Sequence, residues 1–239
     1  MTAPPSPASS EASKPDPSYN TLLDYSLLRP EWTEGQVVDA CEKAARLALH
    51  LVVVRPCDVD AAVRTGMRVG SVCGWPFGNQ TTGVKLYETR DLLRRGAQEI
   101  DFVLNPSRLL SRQFQYVEME LLQAVEACHK EGAVIKIVFP PGALNYETKL
   151  VGARICSRVG PDFAVVSNEA DVPALRPHFA EDIGLKFASV TSRAELEKLH
   201  QAGCTRFGCE NPEEILAAPS GAAPRSAPEP EISQLHPQP

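Results

Sequence analysis

The chain predicts an α/β fold, a single (β/α)8 barrel of the TIM type, and three observations carry that prediction. Short β-rich runs alternate with longer amphipathic, charge-rich runs throughout residues 19–216. Eight strand-like runs fall in that span, which suits a compact closed barrel better than an open doubly wound sheet. No G-x-G-x-x-G follows the first run, so a dinucleotide-binding sheet has little support.

The elements follow in order. The first strand is expected over residues 22–28, then a helix over 33–47 opened by Thr33 and Gln36 at capping-box spacing. Residues 49–54 and 69–75 read as the next two strands, the latter leading into a helix over 84–96. The run 99–105 precedes a helix over 114–130, and 133–139 precedes one over 145–159. Strands over 162–167, 183–188 and 205–208 complete the set. The last helix, 192–202, is capped by Thr191 or Ser192 ahead of Glu195. Gly96, Gly132, Gly160 and Gly203 stand where helices close. Residues 1–18 are Pro/Ser/Ala-rich and 217–239 repeat that composition. Such segments bury too little apolar surface to offset their ordering entropy, so two disordered tails are expected.

A net charge of -6 argues against nucleic acid or an anionic membrane as partner. No apolar stretch approaches the length of a membrane span, and the N-terminus has no secretory signal pattern. Seven scattered cysteines without a C-x-x-C pair suit a reduced compartment, so a cytoplasmic protein is expected. Neither cysteines nor histidines have metal-ligand spacing, and no metal or other cofactor is expected. Cys73 and Cys209 lie near strand ends and read as buried, inert thiols.

Three strand-like runs each set a charge among apolar neighbours: Asp101, Lys136 and Lys186. Alternation puts Gly184, Lys186 and Ala188 on one side of their strand and Leu185 and Phe187 on the other. The same logic turns Asp101 and Lys136 away from Ile100, Phe102, Ile135 and Ile137. All three therefore converge on the barrel interior. A lone ionised group there costs several kcal/mol unless it is paired. Two readings remain open: a structural ion-pair network, or an acid and amines prepared for proton relay and nucleophilic chemistry. Barrel sites lie at the C-terminal strand ends, which adds Arg55, Thr81, Asn105, Ser167, Asn168 and Ser189 as candidate ligand-binding groups.

The motif order across residues 20–212 resembles the deoxyribose-phosphate aldolase family. The matching stretches include Leu23-Asp24-Tyr25-Ser26, Gly74-Trp75-Pro76-Phe77-Gly78-Asn79 with Lys85 and Glu88, and Gly96-Ala97-Gln98-Glu99-Ile100-Asp101. Ile135-Lys136-Ile137-Val138, Gly184-Leu185-Lys186 and Arg206-Phe207-Gly208 follow. The resemblance implies a class I aldolase, in which a lysine forms a Schiff base with an aldehyde while a second lysine and an aspartate tune it and relay protons. Asp101 matches that aspartate, Lys186 the second lysine, and Asp24 an aspartate expected to hydrogen-bond in the site. The family's nucleophilic lysine, followed by Thr-Ser-Thr-Gly, falls where this chain reads Val165-Val166-Ser167-Asn168-Glu169. An isopropyl group forms no imine.

The phosphate loops depart too. After Lys186 the chain lacks the family's glycine pair, and after Gly208 it reads Cys209-Glu210-Asn211 in place of serines. Carboxylates at Glu169 and Glu210 would repel an incoming phosphate. The expected function is thus an aldolase-type lyase acting on an unphosphorylated carbonyl compound, with Lys186 as amine, Asp101 as relay and Lys136 depressing the amine pKa. An amine on the substrate would suit Glu169 or Glu210. The alternative is a catalytically inactive relative kept as a small-molecule-binding or interaction module. The resemblance also implies a homodimer.

Overall fold

The computed structural model describes residues 19–217, so the expected tails lie outside the described residues apart from Ala217. Eight parallel strands close a barrel in sequence order: β1 (Leu23–Leu27), β2 (Leu51–Val54), β3 (Val69–Cys73), β4 (Glu99–Val103), β5 (Val134–Val138), β6 (Phe163–Val166), β7 (Gly184–Phe187) and β8 (Arg206–Cys209). Around them lie α1 (Glu34–Arg46), α2 (Val59–Arg64), α3 (Thr82–Arg94), α4 (Pro106–Leu110), α5 (Phe114–Lys130), α6 (Tyr146–Val159), α7 (Asp171–Leu175), α8 (Arg193–Gln201) and α9 (Pro212–Leu216). The expected TIM barrel is the fold observed.

Local chemistry explains the boundaries. Thr33 and Gln36 form the capping box that opens α1, each side chain meeting the other's backbone N–H. Ser192 accepts from Glu195 N at the start of α8, while the Thr191 N–H donates to the Glu195 carboxylate. Both candidate caps are therefore used. Gly160 closes α6 at φ 68°, a left-handed conformation that glycine adopts without a Cβ penalty, and its N–H returns to Cys156 O.

Outward-facing strand residues such as Leu23, Val52, Ile100, Ile137, Leu185 and Phe207 join the helices in one large core. The interior is divided. Leu51, Val53 and Val72 form an apolar cluster with Leu28 on one side, and Val103, Val138 and Val165 form another with Ala188. Between these two dry patches run the charged residues. Asp101 is level with Lys136, Val138 with Val165, and Val165 with Lys186.

Candidate active site

β1, β4, β5, β7 and β8 each turn a charged side chain into the barrel, and these meet as one network. Lys136 is fully buried. Its Nζ lies 2.8 Å from Glu99 Oε2 and 3.0 Å from both Asp24 Oδ2 and Asp101 Oδ1. The ammonium thus stands among three carboxylates, donating to Asp24 Oδ2 and in ion-pair contact with Glu99 and Asp101. Burial alone would lower the Lys136 pKa, but Asp101, Asp24 and Glu99 reverse that and raise it. Lys136 is a fixed cation.

Lys186 differs. Its Nζ reaches Asp24 Oδ2 at 2.8 Å and Asp101 Oδ2 at 2.9 Å, leaving one tetrahedral position uncommitted to a carboxylate. Lys186 and Asp101 also keep slight exposure, 2% and 6%, where Asp24, Glu99 and Lys136 have none. The structure thus brings together Asp101, Lys136 and Lys186, as their strand positions led one to expect, and joins to them Asp24, to which the family resemblance pointed. Burial would raise the Asp24 pKa, yet Lys136, Lys186 and Arg206 bring it down to about 2.

Glu99 and Arg206 belong to the same network, and sequence reasoning passed over both. Glu99 accepts from Arg206 Nη2 at 3.1 Å and from Arg68 Nε at 2.9 Å, and lies 3.2 Å from His50 Nε2. Burial opposes its charge, but His50, Lys136 and Arg206 hold its carboxyl well below the usual range. Arg206 Nη1 is 3.5 Å from Asp24 Oδ1. Alternation was the available signal: Glu99 shares a strand face with Asp101, and Arg206 with Gly208. Three acids and three bases therefore compensate inside the barrel, and Arg68 and His50 approach from its N-terminal floor.

Val165, which the sequence reading set against the family's reactive lysine, is buried against Val103 and Val138. Small residues crowd the exits of β7 and β8. At Gly208 an added Cβ would lie 1.9 Å from the Ala188 carbonyl oxygen and 3.5 Å from Ser26 Oγ, so the β7 exit loop folds directly over β8. Two carboxylate oxygens, Asp24 Oδ1 and Asp101 Oδ1, are buried without a well-formed hydrogen bond. Asp101, the one of the two with any exposure, can accept from a ligand hydroxyl.

The other candidates are dispersed around the rim. Arg55 is committed: it donates to Asp58 at 2.6 Å and to the carbonyls of Arg29, Pro30 and Trp32 at 2.8–2.9 Å, clamping the loop after β1. Asn105 is buried and caps α4 by accepting from Arg108 N. Asn168 accepts from Ala170 N in the turn after β6. Thr81, Ser167 and Ser189 are exposed. Glu210 takes two hydrogen bonds from Arg29, at 2.9 and 3.1 Å, and Glu169 pairs with Lys198. Both rim carboxylates are thus met by cations of this chain. A cavity of about 450 Å³ opens beside this rim, lined by Tyr25, Arg29, Trp32, Lys43 and Glu210 among others.

Outside the barrel wall, Lys85 is buried and donates to Val103 O at 2.7 Å and Glu120 Oε2 at 2.9 Å, while the Gly74 N–H donates to Glu88. These bonds tie the loop after β3 to the end of β4. Cys73 and Cys209 are buried, and burial pushes the Cys209 thiol up to about 12. Among the described residues no group of three or more His, Cys, Asp or Glu is placed to hold a metal. Nor is any described helix long and apolar enough to cross a membrane.

No protein-family model matches the chain. It is 30% identical over 215 residues to deoxyribose-phosphate aldolase of Enterococcus faecalis, covering 84% of this chain and 97% of that one. It is 31% identical over 201 residues to the enzyme of the same name from Thermoanaerobacter pseudethanolicus, covering 78% and 90%. Among solved structures, the aldolase QR15 superposes with a TM-score of 0.78 at 25% identity, over 82% of this chain and 93% of QR15. A tetrameric deoxyribose phosphate aldolase from Aeropyrum pernix has the same fold, with a TM-score of 0.75 at 24% identity over 84% and 90% of the two chains.

Proposed function

Because the chain belongs to the deoxyribose-phosphate aldolase family, we propose that it is an aldolase-type carbon–carbon lyase whose reactive amine is Lys186, on the strand beside the one where the family's lysine stands. One observation carries this reading. Of the two interior lysines, only Lys186 combines solvent contact with an uncommitted position on its nitrogen.

The chemistry follows from the contacts. Lys186 passes a proton to Asp101, 2.9 Å away, and its lone pair adds to a carbonyl carbon. Asp101 gives that proton to the departing hydroxyl, and loss of water leaves the protonated imine. Asp101 then takes the proton of the substrate's β-hydroxyl as the bond between the α and β carbons breaks, so that an aldehyde leaves and the bonding electrons form the enamine. Asp101 returns the proton to the enamine carbon, and water hydrolyses the resulting imine to free the amine. Lys136 stays charged throughout and fixes both aspartates. The Arg29–Glu210 and Lys198–Glu169 pairs at the rim favour an unphosphorylated, small, polar carbonyl compound.

A second reading, a barrel retained as a binding module, is favoured by the valine packing at residue 165, which leaves no amine on β6. Borohydride trapping with a panel of small aldehydes and ketones separates the two. Deoxyribose 5-phosphate and acetaldehyde belong in the panel, with adducts located by peptide mapping and Lys186→Met run beside wild type. A stoichiometric adduct on Lys186, lost in the variant, is expected. Adducts scattered over exposed lysines, or none at all, would overturn the lyase reading in favour of the binding module.

A further inference from the structure

An unbroken chain of ionisable groups joins the two ends of the barrel. From the mouth, Lys186 Nζ is 2.9 Å from Asp101 Oδ2, and Asp101 Oδ1 is 3.0 Å from Lys136 Nζ. Lys136 Nζ is 2.8 Å from Glu99 Oε2, and Glu99 Oε1 is 3.2 Å from His50 Nε2. His50 immediately precedes β2 and is half-buried, so the chain reaches solvent at the floor, opposite the end where substrates enter.

We propose that His50 is a positioning residue coupled through Glu99 and Lys136 to the Asp101–Lys186 pair, so that its protonation at the floor sets how tightly the mouth amine is held. Glu99 is the shared element. It meets His50, Arg68 and Arg206 from the floor and Lys136 from the interior. A charge gained at His50 draws Glu99 away from Lys136. Lys136 then competes harder with Lys186 for Asp24 and Asp101, the two carboxylates they share. The low-dielectric interior between the two valine clusters screens these terms weakly.

Coupling of this kind is reciprocal: what His50 does to Lys186, Lys186 does to His50. That permits a test without turnover. The chain has five histidines, and the His50 imidazole signals in a heteronuclear NMR titration are assigned by their loss in His50→Gln. Removing the mouth cation with Lys186→Met should raise the His50 midpoint by about half a pH unit or more. Removing an anion with Asp101→Asn or Glu99→Gln should lower it, Glu99→Gln the most. Lys198→Met, which removes an exposed cation paired with Glu169, should leave it in place.

The opposite signs of Lys186→Met and Asp101→Asn keep the test decisive should either variant fail to fold. A midpoint that moves in neither Lys186→Met nor Asp101→Asn, whatever Glu99→Gln does through its direct contact with His50, overturns the coupling. The consequence for catalysis rests on the assignment of Lys186 as amine, but the coupling does not. A shifted midpoint without any Lys186 adduct would retain the coupling and discard the lyase. An adduct with an unmoved midpoint would do the reverse.

Discussion

At the scale of single residues, the two interior lysines share Asp24 and Asp101 and have different duties. Lys136 has no solvent contact and holds three carboxylates, so Lys136→Met leaves Asp24, Glu99 and Asp101 short of a cation in a closed space. A broken buried ion pair of this kind costs about 3–5 kcal/mol, read as the loss of unfolding free energy in urea. Lys186→Met removes two contacts close to the mouth, where water can replace them, and should cost less. Equal losses would argue that the amines are interchangeable parts of one structural network. Much of this site was legible in advance: a charge inside a short apolar strand has a face, and alternation assigned Asp101, Lys136 and Lys186 to the interior. Glu99 was not read because it opens its strand, where an acid passes for a solvated end. Arg206 was not read because it stands at the first residues of its run, where, as for Glu99, a charge passes for a solvated end. The occupation of Arg55 by three backbone carbonyls depends on how the β1 loop folds back, which strand alternation does not encode.

At the scale of elements, two glycines of the same chain should fail differently on substitution. Gly160 closes α6 at φ 68° with nothing within 4 Å of an added Cβ. The loss in Gly160→Ala is therefore purely conformational, about 1 kcal/mol, with the trapping pattern unchanged. At Gly208 the added carbon would lie 1.9 Å from the Ala188 carbonyl oxygen. Gly208→Ala must push the β7 exit away from β8, so it should cost more stability and also alter labelling of Lys186, two residues before Ala188. Similar losses and unchanged labelling in both would mean that the loop yields freely. The strands illustrate what sequence patterns resolve. Seven lie within their expected runs but are shorter by up to two residues at an end, because pairing stops where the chain turns into a loop, while β8 is shifted one residue on and ends at Cys209 instead of Gly208. The helix over residues 114–130 matches its expected bounds, while α2, α4, α7 and α9, of five or six residues each, are too short to show a helical period.

At the scale of the whole molecule, the balanced interior makes barrel stability a property of pH. Asp24 has its pKa lowered from 3.8 to about 2. Its contribution is therefore complete above the ordinary carboxylate range and is lost as pH falls through about 4 to 2. That single shift corresponds to about 2 kcal/mol, and Glu99, held in the same direction, adds to the same limb. Lys136 has its pKa raised above 10.5, so its contribution is present below that value and fades only at higher pH. The urea midpoint should accordingly stay flat through neutrality and fall steeply on the acid side. In Asp24→Asn, which starts from a lower stability, that acid slope should be shallower because one of the titrating groups is gone. A wild-type midpoint equal at pH 3 and pH 7 would show that the interior carboxylates gain nothing from their partners in the folded state. The site would then be a set of compensated charges with no hold on the fold.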